Sequence, residues 1–187
     1  MQMNETREIA APPAQVWAAL FDPDVLRQCV PGCEELTGSA KDGFDAIVIQ
    51  KVGPVKARFK GAIALSDISE GEAATLTGEG KGGAAGFARG AARLRLEPAG
   101  EGTLLHYDVE AKVGGKLAQL GSRIIDGFAR KLADQYFERF QQAVEGPGAE
   151  NAQPIDTLGD APGDSAEAEP AADGKAQKGW IKRLVGR

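Results

Sequence analysis

The chain is poor in the residues that most chemistry needs. Its 187 residues include one histidine, His106, and two cysteines, Cys29 and Cys33. A four-ligand zinc site would have to borrow carboxylates, and a four-thiolate iron–sulfur cluster is out of reach, so no metal site is expected. Long apolar runs are missing too. None approaches the roughly 18 residues of a spanning helix, and Met1–Thr6 has neither a basic head nor an apolar stretch, so no secretory leader is expected. Positive charge is not in excess: 22 Lys+Arg stand against 27 Asp+Glu, net −5. That leaves no electrostatic footprint for nucleic acid. What remains is a 42% hydrophobic chain, long enough for one packed domain and something more.

The charge is unevenly placed. Residues 1–145 hold 17 bases and 20 acids. Residues 146–174 hold seven acids, Glu150 to Asp173, and no base; residues 175–187 hold five bases and no acid. The expected organisation is a domain over 1–146, an acidic linker over 147–177 and a basic tail over 178–187. The linker has only Ile155 and Leu158 as large apolar residues. It cannot bury enough surface to offset ordering entropy, so disorder is expected. About 32 flexible residues would span roughly 30 Å, a tether length.

On a helix, the tail places Trp180, Ile181, Leu184 and Val185 to one side, with Lys178, Lys182 and Arg183 largely elsewhere and Arg187 at the end. A basic amphipathic segment with an aromatic anchor suits an anionic membrane surface, at about 1 kcal/mol per cation. It is too short to be helical alone in water and would fold on contact. A docking peptide for a partner's apolar groove is the alternative.

The domain begins with a weakly patterned strand, Met1–Ile9. Pro12-Pro13 then opens a short helix through Phe21, and Asp22-Pro23 caps a second, with Asp22 as N-cap and Pro23 at the first helical position. Pro31-Gly32 ends it. From Val55 to Leu65 apolar and basic residues alternate, the period of a half-buried antiparallel strand, and Gly53-Pro54 turns into it from Phe44–Val52. Ala88–Leu96 and Leu105–Val113 alternate likewise. After Gly114-Gly115 a long helix is expected to about Val144. Its apolar stripe is Leu117, Leu120, Ile124, Phe128, Leu132, Tyr136 and Phe140, widened by Ile125 and Phe137, with Arg123, Asp126, Arg130 and Asp134 on the other side. This order predicts an α+β arrangement: a curved antiparallel sheet with a long C-terminal helix laid across its concave face, and two short N-terminal helices.

The inward strand positions include Gly78, Gly80, Gly82, Ala88, Gly90 and Ala92. Small inward residues opposite a helix either admit close packing with strong curvature or leave a hollow. The hollow would be lined by Phe59, Ile63, Tyr107, Leu117, Leu120, Ile124 and Phe128, and would suit a lipid-like or quinone-like guest.

Three motifs carry less than they offer. Gly78–Gly83 matches G-x-G-x-x-G, but an alternating strand follows where a dinucleotide site needs a helix. Cys29-Val30-Pro31-Gly32-Cys33 is not C-x-x-C and reads most simply as two free thiols. His106 lies on the polar face of its strand with no nucleophile beside it. No catalytic residue is indicated. The outward bases Lys56, Arg58, Lys60, Arg89, Arg93 and Arg95 form either a solvated face with interleaved acids or a docking surface for an acidic partner.

Cys29–Leu36, Val52–Ala57, Gly80–Gly90 (GKGGAAGFARG) and Gly114–Asp134 together resemble the carbon monoxide dehydrogenase G-subunit family, START-like (SRPBCC, helix-grip) proteins encoded with molybdenum hydroxylases. The resemblance covers roughly residues 1–146. It implies a helix-grip fold around an apolar cavity. It implies no enzyme but an accessory that brings a molybdenum-containing carbon monoxide dehydrogenase to the inner face of the cytoplasmic membrane and couples it to the quinone pool. Anionic lipid and a quinone are then the expected partners besides the dehydrogenase. A soluble lipid or quinone carrier whose tail docks a protein is the alternative.

Overall fold

A computed structural model describes residues 1–146. The linker (147–177) and the tail (178–187), with all the membrane-contact residues expected there, lie outside the described residues.

The N-terminal strand β1, Gln2–Ile9, is followed by α1, Pro13–Leu20, and α2, Pro23–Cys29. Asp22 caps α2 as expected: its Oδ1 accepts from the backbone N–H groups of Asp24 and Val25 at 2.8 and 3.1 Å, with Pro23 where no donor is needed. Six strands follow as a meander: β2 Cys33–Ser39, β3 Gly43–Val52, β4 Val55–Ser69, β5 Ala73–Lys81, β6 Phe87–Ala99 and β7 Gly102–Gly114. The helix α3, Ser122–Glu145, completes the domain. The sheet is antiparallel, in the order β1-β7-β6-β5-β4-β3-β2, so β1 closes the meander against β7 and leaves β1 and β2 as edges. This is the α+β arrangement anticipated. The short strand β2 was not anticipated, because Cys33–Ser39 carries no period-2 pattern. The chain enters it through Gly32 at φ +71°, where a Cβ would lie 2.2 Å from the Ile49 carbonyl oxygen. Only glycine fits there.

The long helix starts later than its apolar spacing implies. Leu117 and Leu120 do not belong to it. They flank and end a 3-10 turn, Ala118–Leu120, and Gly121 at φ +85° separates that turn from α3. Within α3, four-residue steps drift by about 40° each on a helix of about 3.6 residues per turn. Ile125, Phe137, Phe140 and Val144 are buried, whereas Ile124, counted from Leu117 as if in one helix, is 44% exposed. Asp126 moves the other way. It falls on the stripe shared with Ala133, Phe137, Phe140 and Val144, not on the solvent side.

The domain has two packed clusters. The larger joins α1, α2, the C-terminal half of α3 and the adjoining part of the sheet: Ile9, Val16, Leu20, Cys29, Leu96, Leu105, Tyr107, Phe137 and Phe140 are among its members. Tyr107 stacks on Phe137 at 4.9 Å between ring centroids. Thr103, fully buried, donates to the Ala11 carbonyl at 2.7 Å and so fixes the chain after β1. The smaller cluster, Val52, Phe59, Ala85, Leu117 and Ile125, sits where the β3–β4 turn, the link between β5 and β6, and the 3-10 turn before α3 meet.

Candidate functional site: the concave face between two cores

Between these clusters the inner face of the sheet is not packed in the ordinary way. Strand register lines up Phe44, Ile63, Gly78, Gly90 and Ala111 in one inward row, and Leu65, Leu76, Ala92 and Val109 in the next. Ile63, Leu65, Leu76 and Leu132 belong to neither cluster, and all are only half-buried. Facing them, α3 is buried at its two ends and half-buried through Phe128, Ala129 and Leu132. The helix backbone comes nearest the sheet at β1 and β3, close to its opposite edges. It thus bridges the strands between, whose inward residues mix small Gly78, Gly90, Ala92 and Ala111 with half-buried Ile63, Leu65 and Leu76.

Glycine serves two purposes here. A Cβ on Gly90 would lie 2.3 Å from the Glu110 carbonyl oxygen, so the close approach of β6 to β7 requires glycine. At Gly80 the nearest atom would be 4.0 Å away; there a side chain is sterically possible, and its lack leaves space.

The seven residues expected to line a cavity are not brought together as one set. Phe59, Leu117, Leu120 and Phe128 share the smaller cluster. Tyr107 belongs to the larger one. Ile63 lies in the half-buried middle. Ile124 points away, its Cγ2 3.7 Å from where a Cβ on Gly53 would be. Leu65 and Leu76, half-buried on the inner face and in neither cluster, were not among the seven; the alternation of β4 already placed Leu65 inward, whereas Leu76, on the glycine-rich β5, had no such pattern to mark it.

Polar groups close one side. Glu5 and Arg7 occupy inward positions of the edge strand β1. The Tyr107 hydroxyl donates to Glu5 at 2.7 Å, and Arg7 pairs with Glu5 at 2.8 Å and with Asp134 of α3. Arg130 reaches Glu5 at 3.5 Å. The hydrogen bond to Tyr107, reinforced by Asp134, holds the Arg7 guanidinium charged well above its ordinary range, and burial pushes the Tyr107 phenol up. These bonds tie α3 to β1 beside the apolar contacts of Ile9, Phe137 and Phe140. Among the described residues, Oδ1 of Asp126 is enclosed and has no hydrogen-bond partner. A buried acceptor left so is destabilising by about 1–3 kcal/mol, unless a donor from outside the chain satisfies it.

The outer face has a groove of about 1010 Å³, bordered by Ala62, Ala64, Thr77, Glu79, Arg89 and Glu110. Its border is mostly outward-facing, no residue of α3 contributes to it, and it opens broadly to solvent. It offers an apolar guest no enclosure, so the concave face is the better candidate although the groove is roomy. His106 sits on this outer face, its ring nitrogens meeting Thr6 at 2.9 Å and Glu97 at 3.2 Å. Gly83–Ala85 is a three-residue 3-10 turn leading to β6, so no helix follows the Gly78–Gly83 motif. Both thiols are free, Cys29 buried in the larger cluster, and burial raises both above the ordinary thiol range. Among the described residues, no three His, Cys, Asp or Glu side chains cluster as metal ligands would.

A curved antiparallel sheet gripping a C-terminal helix is a fold shared with solved START-like structures. A START superfamily protein from Mycobacterium smegmatis is similar over 77% of this chain and 97% of its own, at TM-score 0.59 and 16% identity. A conserved protein from Geobacillus kaustophilus is similar at TM-score 0.73 and 30% identity, over 78% of this chain and 95% of its own. No curated protein matches the sequence. The family model for the carbon monoxide dehydrogenase G-subunit (CoxG) matches residues 6–145, and the chain belongs to that family.

Proposed function

We propose that this protein is a non-catalytic accessory of a molybdenum-containing carbon monoxide dehydrogenase, carrying an apolar ligand, a quinone, between α3 and the concave face of the sheet. One observation carries the ligand-binding reading: apolar side chains in the middle of the domain stay half-buried while both ends are packed. An ordinary core of this size would bury them; a guest would complete it. Burial of apolar surface supplies the affinity, at about 25 cal/mol per Å² before the costs of association. Asp126 adds selectivity. Its lone acceptor suits a hydroxyl donor, hence the reduced, quinol form of such a guest over the carbonyl-bearing quinone.

The family relationship supports the dehydrogenase as partner, and the sequence of the tail supports the membrane as the meeting place. Trp180, Ile181, Leu184 and Val185 insert at the headgroup boundary while Lys178, Lys182, Arg183 and Arg187 meet anionic lipid on the cytoplasmic side. Organic extraction of the purified full chain followed by mass spectrometry tests the cargo. An isoprenoid quinone near one per chain is expected; a chain pure of apolar small molecules that also fails to take up added quinone contradicts the reading. Flotation with anionic vesicles, full chain against a chain ending at Gly146, tests the tail. Equal flotation of the two removes it from the mechanism.

A further inference from the structure

The antiparallel meander sends alternate turns to opposite ends of the domain, and the two ends differ in charge. At one end lie the β3–β4 turn at Gly53-Pro54, the link between β5 and β6, and the segment from β7 into α3. Residues 51–60, 79–89 and 110–126, which build it, carry nine bases and three acids. The tips of the opposite end, residues 39–45, 67–72 and 95–102, carry two bases and seven acids. Composition conceals this separation, because the whole domain is mildly acidic.

The basic end also holds two of the three large apolar side chains that the described domain leaves exposed. Ile124 is 44% exposed beside the Gly53 turn, and Phe87 38% exposed at the start of β6. The third, Ile68, is 50% exposed at the acidic end. Two of the bases are already engaged: Arg58 with Glu34 at 2.6 Å and Lys81 with Glu79 at 3.5 Å. Lys51, Lys56, Lys60, Lys112, Lys116 and Arg123 make no ion pair among the described residues, and all are exposed.

We infer that this basic end is a lipid-facing surface of the domain itself, which seats it on an anionic bilayer with Ile124 at the headgroup boundary. Charge complementarity favours an anionic surface. The type of base favours lipid over protein: five of the seven bases outside ion pairs are lysine, the others being Arg123 and Arg89, whose guanidinium lies over the Phe87 ring. Lysine is depleted at protein–protein interfaces but suited to headgroups, since its stem lies along apolar surface while the ammonium stays in water. The acidic end, repelled by the same surface, fixes which way the domain stands. The smaller cluster, built from turns and links, is then the part of the hollow's wall nearest the membrane. The inference shares with the proposed function the expectation that the protein meets anionic lipid, but it rests on the domain and not on the tail.

The full chain, with Cys33→Ser to remove the half-exposed thiol, is labelled with an environment-sensitive fluorophore at Ile124→Cys or at Ile68→Cys. Each form is mixed with vesicles of phosphatidylcholine alone or with anionic phosphatidylglycerol, with and without brominated lipid as quencher. With anionic vesicles the label at 124 should shift to the blue and be quenched, while the label at 68 stays as in buffer. Lys51→Glu with Lys56→Glu and Lys116→Glu should abolish the response at 124 and weaken vesicle binding about tenfold at low salt. Trp180→Glu with Leu184→Glu separates the two ideas. If the tail is the sole anchor, only these tail changes matter and the charge reversals do nothing, which overturns the inference. A label at 124 that stays aqueous in every mixture overturns it equally, as does equal quenching at 124 and 68. Circular dichroism of each variant shows that the domain is folded.

Discussion

Two halves of one helix make different cores. The C-terminal half of α3 buries Phe137, Phe140 and Val144 against α1, α2 and the sheet, with Phe140 fully enclosed. The preceding turns set Phe128, Ala129 and Leu132 over inward glycines and alanines and leave them half-buried. The residue types differ little; the side chains they meet differ greatly. Tight and loose packing are thereby divided along one element, and a single mutation should reveal which half it strikes.

The sharpest contrast is between two glycines on the same inner face. Gly90→Val drives a Cβ against the Glu110 carbonyl oxygen and should destabilise by about 3 kcal/mol or more, or prevent folding; Gly80→Val should stay within about 1 kcal/mol of the parent in urea unfolding. Next in size, Phe140→Ala should lose about 3–5 kcal/mol, whereas Leu132→Ala should lose less than about 1 kcal/mol, because little of its surface is removed from water. Equal losses at 132 and 140 would mean that the middle is packed after all. In the larger cluster, Thr103→Val leaves the Ala11 carbonyl without its buried donor and should cost about 1–3 kcal/mol.

Alkali should attack the packed half. Burial raises the Cys29 thiol above its reference value of 9.0 and the Tyr107 and Tyr136 phenols above 10.0. The folded state then holds these protons more tightly than the unfolded one, so their contribution is complete below about pH 9 and declines as pH rises further. Thermal unfolding between pH 7 and 11 measures this, and Cys29→Ala should delay the onset of the decline. The smallest effect belongs to Asp126→Ala. Removing an acceptor that has no partner should leave stability unchanged or raise it by up to about 1 kcal/mol, while weakening retention of a hydroxyl-bearing guest.

Much of this contrast was legible in the sequence. Alternation in Val55–Leu65, Ala88–Leu96 and Leu105–Val113 sets the inward faces correctly, and Asp22-Pro23 marks a helix start that the hydrogen bonds reproduce. The small inward residues left close packing and a hollow equally open. What was misread was the start and the phase of the helix. Gly121 at positive φ separates Leu117 and Leu120 from α3, and within α3 the four-residue steps from Ile124 to Phe140 drift by about 40° each. Ile124 therefore lies on the opposite side from Phe140 and is 44% exposed, while Asp126 shares the three-and-four spacing of Ala133, Phe137 and Phe140. Nor could a linear sequence show that lysines from three segments gather at one end, since that follows from which turns the meander places side by side.

The concave face as an apolar binding site is tested most directly by calorimetric titration of the full chain and of Gly80→Val with decylubiquinone, reduced and oxidised. Saturable binding of one molecule per parent chain, tighter for the reduced form and weakened at least tenfold by Gly80→Val without a change in unfolding, is the predicted result. Absence of saturable binding to the parent, or affinities that the valine leaves unchanged, would contradict it.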